Sequence, residues 1–223
     1  MIKLKDIEMR YNDNGQEILA LKLKELDISE GKQVAFVGAS GSGKTTLFNL
    51  ISGMIVPTEG SVQVNDLDIT SLKESERDLF RANHIGYIFQ DFNLFNEFTV
   101  LQNVILPLSF SKSYSKKEMN DLAKNVLKQV GIEEKINQKV KTLSGGEKQR
   151  VAIARSIINA PDIILADEPT GNLDYKNGTK IMEILTKIAR EKNATLIVIT
   201  HNNSQLDMFD EVIDIEKMNE AIK

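Results

Sequence analysis

The chain has 223 residues, of which 41% are hydrophobic and 27% are charged, and its formal net charge is −4. These values predict one large globular domain, or one domain with a smaller lobe, and argue against general binding of nucleic acid or other polyanions. The lack of cysteine excludes disulfides, thiolate metal ligands and a cysteine nucleophile. The start has no apolar signal core and no apolar run approaches the roughly 20 residues that span a bilayer, so we expect a chain that is soluble by itself.

Strands and helices alternate along the chain. Residues 1–30 contain KLKDIEMRY and LKLKELDIS, which are typical of antiparallel strands in an added layer. QVAFVG at 33–38 is a short apolar run that ends in glycine, and the TTLFNLISG that follows the glycine-rich loop predicts a helix. SVQVN at 61–65 alternates like a strand with one wet face, and HIGYIFQ at 84–90 predicts another strand.

The clearest helix is predicted over 115–130, where apolar residues recur at i, i+3, i+4, i+7, i+8 and i+11. Ser115 and Glu118 have the spacing of a capping box at its start, and Gly131 stops it. Residues 91–160 as a whole are dominated by helical patterns, so we predict that they form a lobe inserted between core strands. The apolar stripe of the helix comprises Met119, Leu122, Ala123, Val126, Leu127 and Val130.

Two nearly unbroken apolar runs, DIILAD at 162–167 and ATLIVIT at 194–200, predict buried parallel strands. The segment between them has apolar residues at the spacing of an amphipathic helix, namely Ile181, Ile184, Leu185 and Ile188. This βαβ pattern predicts an α/β fold. We expect a mostly parallel core sheet, an N-terminal antiparallel β layer and an inserted helical lobe.

A glycine-rich loop carries the strongest chemical signal. It matches G-x-x-x-x-G-K-[ST] between a strand and a helix, the context that this pattern requires. Glycines let successive N–H groups converge on phosphate oxygens, while Lys44 can reach the β- and γ-phosphates and Thr45 can ligate Mg²⁺. The alternative, a glycine–serine turn without a ligand, leaves the Lys-Thr pair and the following helix unexplained. The predicted nucleotide-binding residues here are Gly38, Ala39, Ser40, Gly41, Ser42, Gly43, Lys44, Thr45 and Thr46.

An acidic pair ends the apolar stretch ILADE at 164–168. Ligands bind at the carboxyl ends of strands in open α/β sheets, so Asp167 is placed to hold Mg²⁺ and Glu168 to act as general base on an attacking water. Two solvated acids are the alternative, which the glycine-rich loop disfavours. His201 follows the next strand in the same way and can contact a γ-phosphate, although a lone histidine there is usually a surface or packed residue.

The stretch LSGGEKQR at 143–150 carries a second glycine pair, Gly145 and Gly146, at the start of another helix. Ser144 and Glu147 have the spacing of a capping box, which accounts for a helix start without glycine. Two glycines cost roughly 1 kcal/mol each inside a helical turn, and what they provide is bare backbone at a positive helix end. The pair therefore favours a phosphate as the group that faces this turn.

These motifs together resemble those of ABC-type ATPases over roughly residues 1–215. The loop at 38–45 is similar to Walker A, and LSGGEKQR is similar to the signature motif. The resemblance implies that Tyr11 stacks on adenine, that Gln90 is the Q-loop glutamine and that Asp174 belongs to the D-loop. It also implies Walker B, catalytic and switch roles for Asp167, Glu168 and His201, respectively.

Three stretches, ADEPTGNLD, IGYIFQDFNL and NVILPL, most resemble one bacterial branch of that family. The branch serves lipoprotein release, macrolide efflux, antimicrobial-peptide export and cell division. The final EVIDIEKMNEAIK departs from the pattern because it lacks the glycine of the closing hairpin. The resemblance implies a core lobe at about 1–90 and 161–223 and a helical lobe at about 91–160.

The resemblance also implies ATP and Mg²⁺ as ligands, with the metal held by Thr45, Gln90 and Asp167. Catalysis is then assigned to Glu168, assisted by Gln90 and His201. Hydrolysis of ATP would be the reaction, with water as the nucleophile.

Members of the family pair head to tail, which implies a homodimer with ATP between the two copies. The signature residues Ser144, Gly145, Gly146 and Glu147 would then face the nucleotide of the other copy. The leading interpretation is an ATPase that drives separate membrane permease subunits from the cytoplasmic face of the cell membrane. The alternative is a soluble ABC ATPase that acts on a cytosolic assembly, such as one for iron–sulfur clusters.

Large apolar side chains are concentrated directly after Gln90. One interpretation is a docking surface for a short helix of a membrane subunit, with aromatic anchors. The alternative is that these side chains are core residues. They are Phe92, Leu94, Phe95, Phe98 and Leu101.

Overall fold

A five-stranded sheet and a four-stranded sheet organise the chain in a computed structural model that describes residues 1–110 and 114–222. The strands are β1 (Ile2–Asp13), β2 (Gln16–Ile28), β3 (Gln33–Val37), β4 (Glu59–Val64), β5 (Leu67–Asp68), β6 (Ile85–Ile88), β7 (Ile163–Asp167), β8 (Thr195–Ile199) and β9 (Glu211–Asp214). The α-helices are α1 (Lys44–Ile51), α2 (Glu74–His84), α3 (Val100–Ile105), α4 (Lys116–Gln129), α5 (Gly145–Ile157), α6 (Tyr175–Glu191) and α7 (Ile215–Met218).

The five-stranded sheet is parallel throughout, in the order β6-β7-β8-β3-β9. The strands predicted from DIILAD and ATLIVIT are direct neighbours, as β7 and β8. The strand before the glycine-rich loop, β3, pairs with β8. All carboxyl ends therefore meet at one edge of the sheet, and the prediction of a parallel α/β core is confirmed.

The four-stranded sheet is antiparallel, in the order β2-β1-β4-β5. Its first two strands form a long hairpin whose register shifts between Met9 and Arg10. Gly60 allows β4 to approach β1, because a Cβ there would lie 2.4 Å from the carbonyl oxygen of Asp6. The predicted antiparallel layer is confirmed, and the strand predicted at 61–65 also belongs to it, as β4.

The central strands divide their side chains between two hydrophobic clusters. In β7, Ile164 and Ala166 belong to the cluster formed with α3 to α6, whereas Ile163 and Leu165 belong to the cluster formed with α1 and the antiparallel sheet. This follows from the two-residue repeat of a strand that is covered on both faces. Each fully buried isoleucine or leucine side chain stabilises the fold by roughly 1.5–3 kcal/mol, so packing on both faces fixes the position of the sheet edge.

The stretch predicted to form a helical lobe contains α3, α4 and α5, linked by short 3₁₀ helices. The capping box of α4 forms as predicted, with Ser115 N–H donating to Glu118 Oε2 at 2.7 Å and Glu118 N–H donating to Ser115 Oγ at 3.3 Å. Gly131 follows in a left-handed conformation, φ 68°. The hydrophobic cluster of these helices continues without a break into α6 and β7. The division into two lobes therefore stays a prediction.

Candidate active site

The glycine-rich loop joins β3 to α1 in a conformation that requires glycine. Gly38 has φ 142°, and a Cβ there would lie 2.8 Å from Ser42 Oγ. Gly43 precedes the first turn of α1 with φ 98°, and a Cβ there would lie 3.0 Å from Leu21 Cδ1. Side chains other than glycine are strained in this region of φ. The backbone is thus bent directly before the start of α1, and a helix N-terminus is a position where backbone N–H groups can bind an anion.

Lys44, the first residue of α1, is only 7% exposed and lies across the loop. Its ammonium donates to the carbonyl oxygens of Gly38 at 2.9 Å and Ala39 at 2.7 Å, and to Ser42 Oγ at 3.2 Å. Burial lowers the pKa of Lys44, and the carboxylate of Glu168 is the largest influence in the opposite direction. The loop therefore holds a desolvated positive charge at its centre, where it acts strongly on an anion.

The acidic pair lies at the carboxyl end of β7, as predicted. Burial raises the pKa of Asp167, and the negative charge of Glu168 adds to this effect, while Lys44 and His201 oppose it. Glu168 has φ 44° and donates its N–H to the carbonyl oxygen of Ile199 on β8 at 3.0 Å. A left-handed conformation at a residue other than glycine is a strain that persists where the surroundings impose it, often at functional sites.

Glu168 has a partner on each of its carboxylate oxygens. His201 Nε2 lies 3.0 Å from Oε1, and Gln90 Nε2 donates to Oε2 at 3.3 Å. These residues follow β8 and β6, the two neighbours of β7, which explains why three distant parts of the sequence meet. The predicted catalytic residues are therefore in direct contact.

A cleft of about 460 Å³ contains this group and the glycine-rich loop. Tyr11 lies beside the cleft, with its hydroxyl 3.5 Å from Thr46 Oγ1. Gly38, Ala39 and Ser42 are not among the lining residues, but each accepts a hydrogen bond from Lys44. The predicted residues that line the cleft are Ser40, Gly41, Gly43, Lys44, Thr45, Thr46, Gln90, Asp167, Glu168 and His201.

Sequence reasoning missed one side of the cleft. Ile18 and Ala20 of β2 line it, together with Asn219, Ala221 and Ile222 near the end of the chain. No motif marks these residues, and the two groups are about two hundred positions apart in sequence. The apolar side chains here give the cleft a nonpolar surface suited to contact with a nucleobase.

The signature stretch lines a second cavity, of about 320 Å³, and is absent from the lining of the first cleft. Glu147 accepts hydrogen bonds from Ser144 N–H and Oγ, both at 2.8 Å, and these bonds hold the pKa of Glu147 below its usual value. D-loop residues share this cavity. The predicted residues that line it are Ser144, Gly145, Gly146, Glu147 and Asp174.

The glycine pair of this cavity is not required by the chain itself. Neither Gly145 nor Gly146 has a positive φ. A Cβ on Gly146 would meet no atom within 4 Å, and a Cβ on Gly145 would lie at an ordinary 3.5 Å from Leu173 Cδ2. Packing within the described chain therefore does not account for glycine at these two positions.

The segment that begins at Gln90 is held from two directions. Arg155 of α5 donates to the carbonyl oxygens of Phe92 at 2.8 Å and Asn93 at 2.5 Å. Asn172 of the D-loop donates to the carbonyl oxygen of Gln90 at 3.0 Å. The segment therefore connects the cleft to the helix that begins with the signature stretch.

Of the five apolar side chains predicted in this part of the chain, Phe92 is half-buried, and the other four divide into two groups. Leu94 and Leu101 pack on the large hydrophobic cluster, so the core interpretation is right for them. Phe95 and Phe98 stack on each other at 5.1 Å and are 51% and 40% exposed, so the core interpretation is wrong for this pair. An exposed stacked pair is a feature of interaction surfaces.

A strand–glycine loop–helix unit, a lysine in the loop and acids on a neighbouring parallel strand define the class of the P-loop nucleoside triphosphatases. Within this class, the second glycine turn at Gly145 and Gly146, in the stretch LSGGEKQR, indicates the ABC-type ATPases. A family model described as "ABC transporter" matches residues 21–171, and the chain belongs to the ABC transporter family as an ATP-binding, ATP-hydrolysing subunit.

Named relatives agree with this family. An ABC transporter ATP-binding protein of Methanocaldococcus jannaschii, MJ0796, is 45% identical over 205 residues, which are 91% of this chain and 87% of the relative. The lipoprotein-releasing system ATP-binding protein LolD of Acinetobacter baylyi is 36% identical over 216 residues, which are 97% of this chain and 95% of the relative. The prediction of the branch that includes lipoprotein release is confirmed.

Solved structures show the same fold. A dimeric, post-hydrolysis form of MJ0796 bound to ADP and phosphate has a TM-score of 0.88 and 39% identity, covering 100% of this chain and 99% of that one. Another dimeric MJ0796 structure has a TM-score of 0.88 and 41% identity, covering 97% and 95%. The iron–sulfur assembly alternative receives no support from these relatives. Among the described residues, no helix is both long and apolar enough to cross a bilayer.

Proposed function

We propose that the cleft binds Mg-ATP through the glycine-rich loop and hydrolyses it with Glu168 as general base. The observation that carries this proposal is the contact of Glu168 with both His201 and Gln90 in the cleft that also contains Lys44. A carboxylate with both oxygens oriented, next to a desolvated ammonium, suits the deprotonation of a water beside a phosphate.

The chemistry is a displacement at the terminal phosphorus of ATP. Glu168 takes a proton from water as the water oxygen bonds to the γ-phosphorus, and the bond to the bridging oxygen of ADP breaks. Lys44 and the loop N–H groups stabilise the negative charge on the phosphate oxygens. His201 is placed to contact the γ-phosphate and to hold the orientation of Glu168. The products are ADP and inorganic phosphate.

The donor set of the cleft fits magnesium. Thr45, Gln90 and Asp167 all line it, and each offers an oxygen, which is the donor that Mg²⁺ prefers. In the part of the chain that the structure describes, no three histidine or acidic side chains form a metal cluster. This is as expected, since Mg²⁺ in such sites is usually held by one or two carboxylates together with phosphates and water. When bound, the ion neutralises charge on the phosphate oxygens.

Nucleotide titration by calorimetry tests the cleft directly. Lys44→Ala removes a charge-assisted contact with phosphate, worth about 1.5–3 kcal/mol, so ATP affinity should fall tenfold or more. Lys192→Ala is a matched control, because Lys192 also has its pKa lowered by burial and donates to a carbonyl oxygen, that of Ile157 at 3.3 Å, in another cavity. Equal ATP affinities of the two variants would refute the assignment.

We further propose that two copies of the chain pair head to tail, each signature turn facing the nucleotide bound by the other copy. Three observations support this. The signature turn lies outside the cleft, Gly146 has open space around it, and MJ0796 is dimeric in the similar structures. Ser144, Gly145 and Gly146 would then serve the partner's γ-phosphate, with Glu147 capping the turn and Asp174 beside it.

The exposed aromatic pair supports a membrane partner. Phe95 and Phe98 follow directly after the Gln90 segment, and Asn93 of that segment lines a groove of about 210 Å³ together with Phe89 and Arg155. We propose that a short helix of a permease subunit docks here and holds the chain at the cytoplasmic face of the membrane. Residues 91–160 would move as a lobe relative to 1–90 and 161–223.

A further inference from the structure

One buried amide joins the last turns of the chain to both the glycine-rich loop and β2. Asn219 is 1% exposed. Its Nδ2 donates to the carbonyl oxygens of Ser42 and Ala20, each at 3.1 Å. Its Oδ1 accepts from Lys22 N–H at 2.9 Å and from Ala221 N–H at 3.0 Å. Both donors and both lone pairs of the side chain are therefore used.

The partners of this amide belong to different parts of the site. Ser42 lies in the glycine-rich loop, just before the turn that starts α1, whereas Ala20 lies on β2, a strand that lines the same cleft next to the loop. A Cβ on Gly43 would lie 3.2 Å from Asn219 Nδ2, so the loop backbone rests directly against the amide. A second fastening is the N–H of Ala39, which donates to Glu216 Oε2 at 3.1 Å.

We propose that Asn219 is a positioning residue for nucleotide binding, which sets the phosphate-binding loop against the β2 edge. This inference rests on the proposed use of the cleft for ATP. Only a primary amide offers two donors to the carbonyl oxygens of Ser42 and Ala20 and two lone pairs to the N–H groups of Lys22 and Ala221. A carboxylate at this position can still accept from the N–H groups of Lys22 and Ala221. Its other oxygen would repel the carbonyl oxygens of Ser42 and Ala20.

The alternative is a purely structural role, in which the amide only attaches the end of the chain. The two roles differ in what depends on the donors to Ser42 and Ala20. If Asn219 positions the loop, nucleotide affinity should depend on whether the side chain at position 219 can donate a hydrogen bond. An attachment role predicts a lower melting temperature with unchanged affinity.

The test measures ADP affinity of the full chain, with Mg²⁺ present, at pH 8 and pH 5.5. ADP has no γ-phosphate, which keeps His201 and Glu168 out of the measurement. Asn219→Asp should bind ADP about tenfold more weakly than the original chain at pH 8. Protonation of the buried carboxylate restores one donor, so most of this loss should disappear at pH 5.5. The variant retains the charged side chains on the elements that meet at Asn219, namely Glu17, Lys22, Lys24, Glu25 and Asp27 of β2, Lys44 of α1, Glu216 and Lys217 of α7, and Glu220.

Two further variants make the result specific. Asn83→Asp makes the same charge change at an exposed amide that donates to the carbonyl oxygen of Leu79 at 2.8 Å, and it should bind ADP normally. Asn219→Ala adds no charge and should bind weakly at both pH values, which separates lost donors from added repulsion. It also carries the test if Asn219→Asp does not fold, as judged by circular dichroism.

The outcomes are distinct. Weak binding by Asn219→Ala at both pH values, with recovery of Asn219→Asp at pH 5.5, supports the positioning role. Folded Asn219 variants whose ADP affinity stays within twofold of the original overturn it. If Lys44→Ala also binds ADP normally, the cleft is not the nucleotide site, and the proposed function fails as well.

Discussion

His201 Nε2 lies 3.0 Å from Glu168 Oε1, and the two residues follow the neighbouring strands β8 and β7. The other oxygen of Glu168 accepts from Gln90 at 3.3 Å, and its backbone is held at φ 44°. The carboxylate is therefore fixed in orientation before any substrate enters. Such preorganisation saves reorganisation during the reaction.

Replacing the proposed base should separate binding from chemistry. Glu168→Gln keeps the shape and one hydrogen-bond acceptor but cannot take the proton, so ATP turnover should fall at least ~10²-fold while ATP still binds. The ATP-bound dimer should persist in gel filtration. Asp162→Asn is a matched control, because Asp162 Oδ2 lies 2.6 Å from His84 Nδ1 at the opposite end of the sheet. A Glu168→Gln variant with near-normal turnover would exclude this residue as the base.

Replacing Gly146 should change stability and activity in opposite directions. Gly146→Ala places a methyl group in open space on α5 and should stabilise the helix by up to ~1 kcal/mol, seen as a higher melting temperature. Hydrolysis should nevertheless fall, because the methyl group occupies the face offered to the partner's nucleotide. A variant that is both more stable and fully active would argue against the shared site.

A charge at the same position sharpens the test. Gly146→Asp should bind ATP nearly normally as a monomer and lose hydrolysis, since like charges repel at the γ-phosphate. In mixtures with Lys44→Ala protein, one of the two shared sites carries neither change, so partial ATPase activity should return. If Gly146→Asp weakened monomer binding as strongly as Lys44→Ala does, the head-to-tail arrangement would be wrong.

Asp167, the acid at the end of β7, should lower the stability of the folded protein at neutral pH. Burial and the charge of Glu168 raise the folded-state pKa of Asp167 above its unfolded value. The folded protein therefore disfavours the ionised carboxylate at neutral pH. Asp167→Asn should therefore raise the free energy of unfolding at pH 7, by a modest amount because solvent screens this half-buried side chain.

The pH dependence of this effect follows from the sign of the shift. The cost of ionising Asp167 is complete above its folded-state pKa, and it disappears as the pH falls toward the unfolded value. The stabilisation by Asp167→Asn should fade in the same range. Denaturant melts at neutral and acidic pH measure it, and a constant difference between the two proteins would contradict the assignment of the shift to this group.

The stacked phenylalanines should matter for the membrane partner and little for the fold. Phe95→Ala and Phe98→Ala remove exposed rings, so circular dichroism and ATP affinity should be close to normal. Co-purification with the membrane subunits should weaken, and hydrolysis should uncouple from transport. Phe110→Ala, at a side chain that is 67% exposed, is the control. Full partner binding by the folded Phe95 and Phe98 variants would remove this pair from the docking surface.

The parts of the site that sequence could predict are those carried by local patterns. The glycine-rich loop, the acids after β7 and His201 after β8 are each defined by a strand end, and a parallel sheet brings strand ends together. The predicted antiparallel layer and the helix over 115–130 are likewise local. These predictions needed only periodicity and the adjacency of β7 and β8.

Long-range packing explains what sequence could not predict. Asn219 pairs with Ala20 and Ser42 across 199 and 177 positions, and nothing around it marks a buried amide. The exposed Phe95 and Phe98 have the same composition as a core segment, so only the three-dimensional surroundings distinguish them. The strand β9 and the short helix α7 were also missed, because four-residue elements have little periodicity of their own.

The two-sided hold on the segment after Gln90 has an energetic consequence. Arg155 and Asn172 donate to carbonyl oxygens within the same four residues, 90–93, so each bond fixes the geometry on which the other depends. Groups that share a partner segment do not contribute additively to free energy. Substitutions of Arg155 and Asn172 are therefore expected to change the free energy of unfolding non-additively, because both residues bond to the segment that begins at Gln90.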